Sequence, residues 1–258
     1  MSAAVSIHIA RWAVTGFVAL VGLLAGSFLN VVIYRVPRGL SVAKPRSFCP
    51  HCDTPVRPID NVPVVSWVML GGRCHHCRGP ISARYPLVES ATAVVFAAVG
   101  WGLGPHWAVA GFCVLAATLI ALVAIEADGL PPPLSVAGIG TGLGAALLLG
   151  AGVADRRWSH VVGLIVGLVV AVALVVIKSP WTSSAPVLLP VGAVLGWLGL
   201  ASTAEGLATA AAVLVIDRLA RGRQVSPDPD RVVISVALAS GAVVASVVAV
   251  AIGAGVGR

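Results

Sequence analysis

Runs of about twenty apolar residues constrain this chain more than any other feature, because a backbone that leaves water must pair its amides internally and a helix does so within one segment. Such runs fall near residues 10–34, 87–104, 108–125, 134–153, 159–177, 186–201, 203–217 and 231–255. The expected fold is an all-α polytopic membrane protein with about eight transmembrane helices. Composition agrees, with 58% hydrophobic and 10% charged residues, against roughly 25% charged in soluble domains. The abundant Ala and Gly after Pro86 suit helices in close contact. The first span is read as retained, since no small-residue cleavage site follows it as one would follow a signal segment.

Charge sets the expected orientation. The stretch between the first two spans carries Arg35, Arg38, Lys44, Arg46, Arg57, Arg73, Arg78 and Arg84, whereas no Lys or Arg precedes Arg11. The positive-inside rule puts that stretch in the cytosol and the N-terminus outside, in a multi-pass protein of the cytoplasmic (inner) membrane. Threading eight spans from there leaves thirteen of the 17 Lys and Arg inside and four outside. Reading 186–217 as one tilted helix lowers the bias to ten against seven. A formal charge of +7 is also met in nucleic-acid binders. Here the cations follow topology and form no basic strip with interleaved aromatics, so the lipid bilayer is the expected partner and nucleic acid is not.

One polar segment interrupts the apolar pattern, from Val36 to Pro86. It is rich in Pro and Gly, expects short strands at most, and is too small and polar to bury a core, so it needs a staple. Cys49-Pro50-His51-Cys52 and Cys74-His75-His76-Cys77 form two C-x2-C knuckles with 21 residues between them. That spacing suits four thiolates around a tetrahedral Zn(II), while a cytosolic compartment disfavours disulfides; reduced free thiols are the other reading. Arg46, Arg73 and Arg78 offset the negative charge of such a centre. Four sulfurs leave no open coordination position, so the zinc is structural, and His51, His75 and His76 read as knuckle or surface residues. Cys113, alone in the third span, reads as a small buried hydrophobe. The expected domains are a first transmembrane helix (1–35), a cytosolic tetracysteine zinc domain (36–86) and a transmembrane bundle (87–258).

Several ordered motifs carry a resemblance: Gly26-Ser27-Phe28-Leu29-Asn30-Val31-Val32-Ile33-Tyr34-Arg35-Val36-Pro37, the CPHC knuckle, Asp60-Asn61-Val62-Pro63-Val64-Val65-Ser66-Trp67, Gly72-Arg73-Cys74, and Ile81-Ser82-Ala83-Arg84-Tyr85-Pro86-Leu87-Val88-Glu89. Over roughly residues 20–100 the chain resembles the type IV prepilin leader peptidase/N-methyltransferase family. The resemblance implies a polytopic aspartic peptidase that removes the basic leader of prepilins, and in many members methylates the new amino terminus with S-adenosylmethionine. It also implies pilin-like N-terminal helices as partners. Asn30, Arg35, Arg84 and Glu89 fall on motif positions without an assigned role. Glu89 is expected to orient the loop against the bundle by pairing with Arg84 or Arg35, or else to be a first-turn acid favoured by the helix dipole, with a role in cofactor or substrate binding as the remaining reading.

Peptide cleavage by two carboxylates requires that they share one proton. The family's first acid closes a span in an Ile-Asp pair shortly before Leu-Pro-Asp; this chain reads Ile125-Glu126-Ala127-Asp128-Gly129-Leu130-Pro131-Pro132-Pro133. Glu126 occupies the place of that acid, on a segment two residues shorter. The second acid belongs to a Gly-x-Gly-Asp motif, and the match places Val187 there, which holds no proton. The candidate catalytic acids are therefore Glu126 and Asp128, if a turn at Gly129 brings residues i and i+2 together; as span-end and turn residues they need no chemistry. Glu205 and Asp217 read as snorkelling or paired span-end acids.

Three functions stay open: a prepilin peptidase with displaced acids, a non-proteolytic relative that binds or methylates pilin-like helices, and a pilus or secretion assembly protein that keeps only the zinc scaffold. No glycine-rich Rossmann fingerprint is present, so S-adenosylmethionine rests on the resemblance alone. A transporter is the outside alternative, and the chain lacks the paired interrupted spans that would favour it.

Overall fold

The computed structural model describes residues 3–176 and 188–198. Its helices are α1 (Ala3–Arg35), α2 (Val65–Met69), α3 (Arg84–Leu103), α4 (Ala108–Ala127), α5 (Leu134–Ala154), α6 (Trp158–Val176) and α7 (Leu188–Leu198). Four of them, α1, α3, α4 and α5, are long and apolar enough to cross a membrane, and α6 and α7 continue the apolar pattern. The expected spans at 203–217 and 231–255, Val187, Glu205 and Asp217 lie outside the described residues. Among the described residues there is no strand; the polar segment holds only two isolated antiparallel bridges, Phe48 with Pro55 and Arg73 with Pro80.

Missing side chains build the contact between α1 and α3. Gly22 and Gly26 stand one turn apart on the same face of α1. A Cβ at Gly26 would lie 2.6 Å from the Glu89 Cα, and one at Gly22 would lie 2.8 Å from the Ala93 Cα. Gly100 of α3 answers from the other side, where a Cβ would meet Val18 Cγ2 at 2.7 Å. The two backbones touch, which is how helices associate in lipid, where apolar side chains gain nothing by leaving one hydrocarbon surface for another.

Helix α4 runs through the middle, with Leu115, Leu122, Ala124 and Ile125 fully buried. It interlocks with α5 reciprocally: Leu115 fills the space over Gly144, and Leu148 the space over Gly111. Two larger apolar clusters and a smaller one around Leu119 and Leu122 share the interior among the described residues. One of the larger two gathers Phe96, Phe112, Leu115, Leu148 and Trp197; the other gathers Leu29, Ile33, Val88, Ala121 and Ile125.

The ends of the helices differ in chemistry. At the end remote from the polar segment, Trp12 meets Trp101 edge-on, Arg11 sits over Trp101, and His106 Nε2 lies 2.9 Å from Asp155. Aromatic rings of this kind mark a membrane–water boundary. At the other end α4 stops with paired carbonyl caps: the Gly129 N–H donates to the Glu126 carbonyl and the Leu130 N–H to the Ile125 carbonyl, with Gly129 at φ +73°. Glycine is the residue this left-handed position asks for, and the three prolines that follow lead into α5.

Candidate functional site

The four-cysteine centre is built from two copies of one turn. In the first, the Cys49 N–H donates to the Thr54 carbonyl and the Asp53 N–H to the Cys49 carbonyl; in the second, the Cys74 N–H donates to the Gly79 carbonyl and the Arg78 N–H to the Cys74 carbonyl. Asp53 and Arg78 take matching left-handed φ values of 53° and 59°. Each turn curls its backbone around its own pair of thiols, and the two isolated bridges close the turns at their bases. Gly79 is needed where the turns meet, since a Cβ there would press on the His51 ring at 3.0 Å.

The four Sγ atoms lie within 4.8 Å of one another, and Cys49 and Cys77 Sγ are 3.8 Å apart. A tetrahedral ion with metal–sulfur bonds of about 2.3 Å has sulfur–sulfur edges of about 3.8 Å, so the residues present fit a single metal ion. Backbone amides of Cys77 and His76 bring the Cys74 thiol down to about 7. The Cys77 thiol is lowered by the Gly79 amide, yet burial and the three neighbouring cysteines outweigh it and push it up to about 11. Four thiolates this close resist ionising together, and a divalent cation at their centre relieves that repulsion as it displaces the protons.

A short list of hydrogen bonds seats the loop on the helices. The Trp67 indole N–H donates to the Ile81 carbonyl at 3.1 Å, and its ring covers Gly72, whose absent Cβ would lie 2.8 Å from it. The Asn30 amide on α1 donates to the Tyr85 carbonyl on α3 at 3.2 Å. Glu89, buried in α3, accepts the Val64 N–H at 2.7 Å and is also hydrogen-bonded by Ser27 of α1. Val64 itself stands at φ +61°, ψ −51°, which a β-branched residue adopts only at a cost. Glu89 therefore orients the loop against the bundle through a backbone amide.

The expected pairing of Glu89 with Arg84 or Arg35 does not occur. Arg84 Nη1 reaches both carboxylate oxygens of Asp128, at 2.8 and 2.9 Å, and Arg35 donates to the Ser41 carbonyl at 2.9 Å. Helical phase is the reason: five residues separate Arg84 from Glu89, which turns their side chains about 140° apart. Glu89 faces α1, and Arg84 faces the end of α4.

Asp128 is the C-terminal cap residue of α4, and its side chain is 11% exposed against Arg84. Arg84 Nε and Nη2 are buried without a hydrogen-bond partner. Glu126 is half-buried in the last turn of α4. The chain reverses at Gly129, directly after both acids. Cys113 is buried in the interior cluster, as its apolar surroundings implied. Ser27 and Val64, which connect the loop to the helices through Glu89, and Trp67 and Gly72, which pack within the loop, all lie within the resemblance motifs, but nothing local in the sequence sets them apart from their neighbours.

Residues 20–103 match the family model described as the bacterial peptidase A24 N-terminal domain. The prepilin leader peptidase/N-methyltransferase of Neisseria gonorrhoeae is 42% identical over 134 aligned residues, covering 43% of this chain and 47% of that protein. The enzyme of the same description from Klebsiella pneumoniae is 41% identical, covering 48% of this chain and 59% of its own length. The type 4 prepilin-like proteins leader peptide-processing enzyme of an enterotoxigenic Escherichia coli is 43% identical, with 48% and 54% covered. The chain thus spans about half the length of the curated relatives it matches. No solved structure matches it. The tetracysteine loop, the Gly22, Gly26 and Gly100 contacts of α1 with α3, and the Asn30 and Glu89 contacts all fall inside the matched segment, and over that segment the chain is similar to the prepilin leader peptidases.

Proposed function

We propose that the protein handles prepilin-like substrates at the inner membrane, with its N-terminus outside and its Val36–Pro86 loop a structural zinc domain in the cytosol. The carrying observation is the four-cysteine centre seated on α1 and α3 within the matched segment. With four sulfurs around it, zinc would hold the loop in shape and leave no position for water. The bundle of residues 87–258 would take a pilin-like amino-terminal helix among its spans, with the basic leader on the cytosolic side. S-adenosylmethionine belongs to this reading as the methyl donor for the trimmed amino terminus.

Leader cleavage needs two acids sharing a proton. Glu126 supplies one in this reading, Val187 supplies none, and Asp128 is engaged by Arg84. That ion pair favours a second reading, in which the chain binds pilin-like helices during assembly and leaves cutting to another protein. The test is co-expression with a cognate prepilin in a host lacking its own prepilin peptidases, comparing Glu126→Ala, Asp128→Ala and Cys74→Ser with the parent. Cleavage that disappears in both acid variants means the two carboxylates form a working pair. No cleavage by a folded, metal-loaded chain that still co-purifies with prepilin establishes the assembly reading.

A further inference from the structure

Glu89 is a buried carboxylate in a membrane-crossing helix, and among the described residues no cation reaches it. Its two hydrogen bonds come from neutral donors, the Val64 amide and the Ser27 hydroxyl. A buried carboxylate is normally kept beside a positive charge, because neutral donors offset only part of the lost hydration. The two cations the sequence offered are turned elsewhere, Arg84 to Asp128 and Arg35 to Ser41. A structural acid needing only to hold the Val64 amide would be served as well by glutamine.

A groove opens beside Ser27, the residue that hydrogen-bonds this carboxylate. Leu24, Ser27, Phe28, Val31, Asn61 and Pro63 line about 280 Å³ of space between α1 and the loop. Ser27 belongs to both the groove and the carboxylate, and Pro63 precedes the amide that Glu89 accepts. Leu24 and Phe28 are largely exposed on the outer face of α1, so the apolar wall continues onto the surface that meets lipid. Ser27 and Asn61 line the groove and Glu89 lies behind Ser27; the carboxylate, the Ser27 hydroxyl and the Asn61 side-chain carbonyl are all able to accept. An ammonium group, with three donors and no acceptor, complements that set.

We propose that this groove receives the free α-amino group of an apolar peptide helix lying against α1, with Glu89 as its charge partner. It rests on the reading of the chain as one that handles pilin-like helices, and names the group by which such a helix is held. The ligand is apolar because the wall is, and cationic at its tip because no cation among the described residues faces the carboxylate. Glu89 acts here as a binding residue.

The experiment uses the full chain in phosphatidylcholine nanodiscs and a synthetic apolar peptide of about twenty residues, with either a free or an acetylated amino terminus. The free amine should bind about ten-fold more tightly, the worth of one charge-assisted hydrogen bond. Glu89→Gln keeps an acceptor for the Val64 amide and should bring the ratio to about one with metal content unchanged. Should that variant lose its metal, Asn61→Leu on the exposed loop serves instead and should lower the ratio while sparing acetylated-peptide binding. Equal affinities for the parent chain, or a ratio that survives Glu89→Gln, overturn the proposal. A preference for phosphatidylethanolamine over phosphatidylcholine nanodiscs, with no discrimination between peptides, assigns the carboxylate to lipid and also overturns it. Binding is read independently of processing: amine discrimination by a chain that neither cuts prepilin nor retains it upholds the groove and removes the processing reading, whereas processing without discrimination does the reverse.

Discussion

The polar loop and the α1–α3 pair adjoin each other, yet almost nothing that stabilises one stabilises the other. The loop has no sheet and little apolar core; its shape comes from two matched turns around four sulfurs and from a few bonds to the helices. The helix pair is held by backbones brought together at Gly22, Gly26 and Gly100, with the Asn30–Tyr85 and Ser27–Glu89 hydrogen bonds across it. Solvent explains the difference. In water the loop gains little from its few apolar side chains and relies on a staple, while in lipid the helices gain little from theirs and rely on close packing.

The largest expected effect breaks one side of this comparison and spares the other. Under the zinc reading, chelation or Cys74→Ser should unfold residues 36–83, because structural zinc contributes on the order of 10 kcal/mol in small metal-folded domains. Limited proteolysis should then cut the loop while the α1–α3 seam, followed by disulfide trapping of cysteines introduced across it, survives.

Next comes Gly26→Leu, which drives a side chain into the Glu89 backbone and should cost about 3 kcal/mol. Here the seam opens first, and the loss of cross-seam trapping should precede any loss of bound metal. Gly22→Ala, with slightly more room, should cost less.

Arg84→Ala joins the two regions, since it removes the cation that ties the exit of the loop to the end of α4. The pair keeps some solvent contact, at 22% and 11% exposure, so the expected loss is about 2 kcal/mol, below that of a fully buried pair. Thermal unfolding of the detergent-solubilised chain would record it. Arg84→Lys should recover only part, lacking the planar fork.

The smallest effect lies at the loop surface. Arg57 holds the Asp60 carboxyl below the usual carboxylate range through a hydrogen bond at 2.7 Å. With the folded value below the unfolded one, the pair contributes stability at neutral pH that is lost as acidification passes the lowered value. Arg57 is half exposed, so Arg57→Ala should move the loop's melting only slightly at neutral pH, and the difference should vanish in acid.

Much of this comparison was legible in the sequence. Long apolar runs announce spans because lipid permits so few alternatives, and four cysteines in two knuckles announce a centre because ligand spacing is narrowly fixed. Partner choice was harder to read. Arg84, Asp128 and Glu89 lie near one another, and only the helical phase of α3 decides that Arg84 faces Asp128 while Glu89 faces Ser27 and Val64. The seam was hidden for another reason: with 29 glycines in the chain, Gly22 and Gly26 do not stand out until α3 is placed against them. Oligomeric state was hidden likewise, since a seam between copies would use the same small residues as a seam within one.

The contact between α1 and α3 also has a consequence in time. Its two halves leave the ribosome separated by residues 36–83, and at ordinary synthesis speeds α1 waits roughly 2 to 10 s before α3 follows. During that interval Gly22 and Gly26 wait without α3, and the second cysteine turn, Cys74–Gly79, is completed only just before Arg84 opens that helix. All four thiols are thus made before α3 can close on α1, and under the zinc reading a chain made in zinc starvation would bring α3 to α1 with an unshaped loop between them.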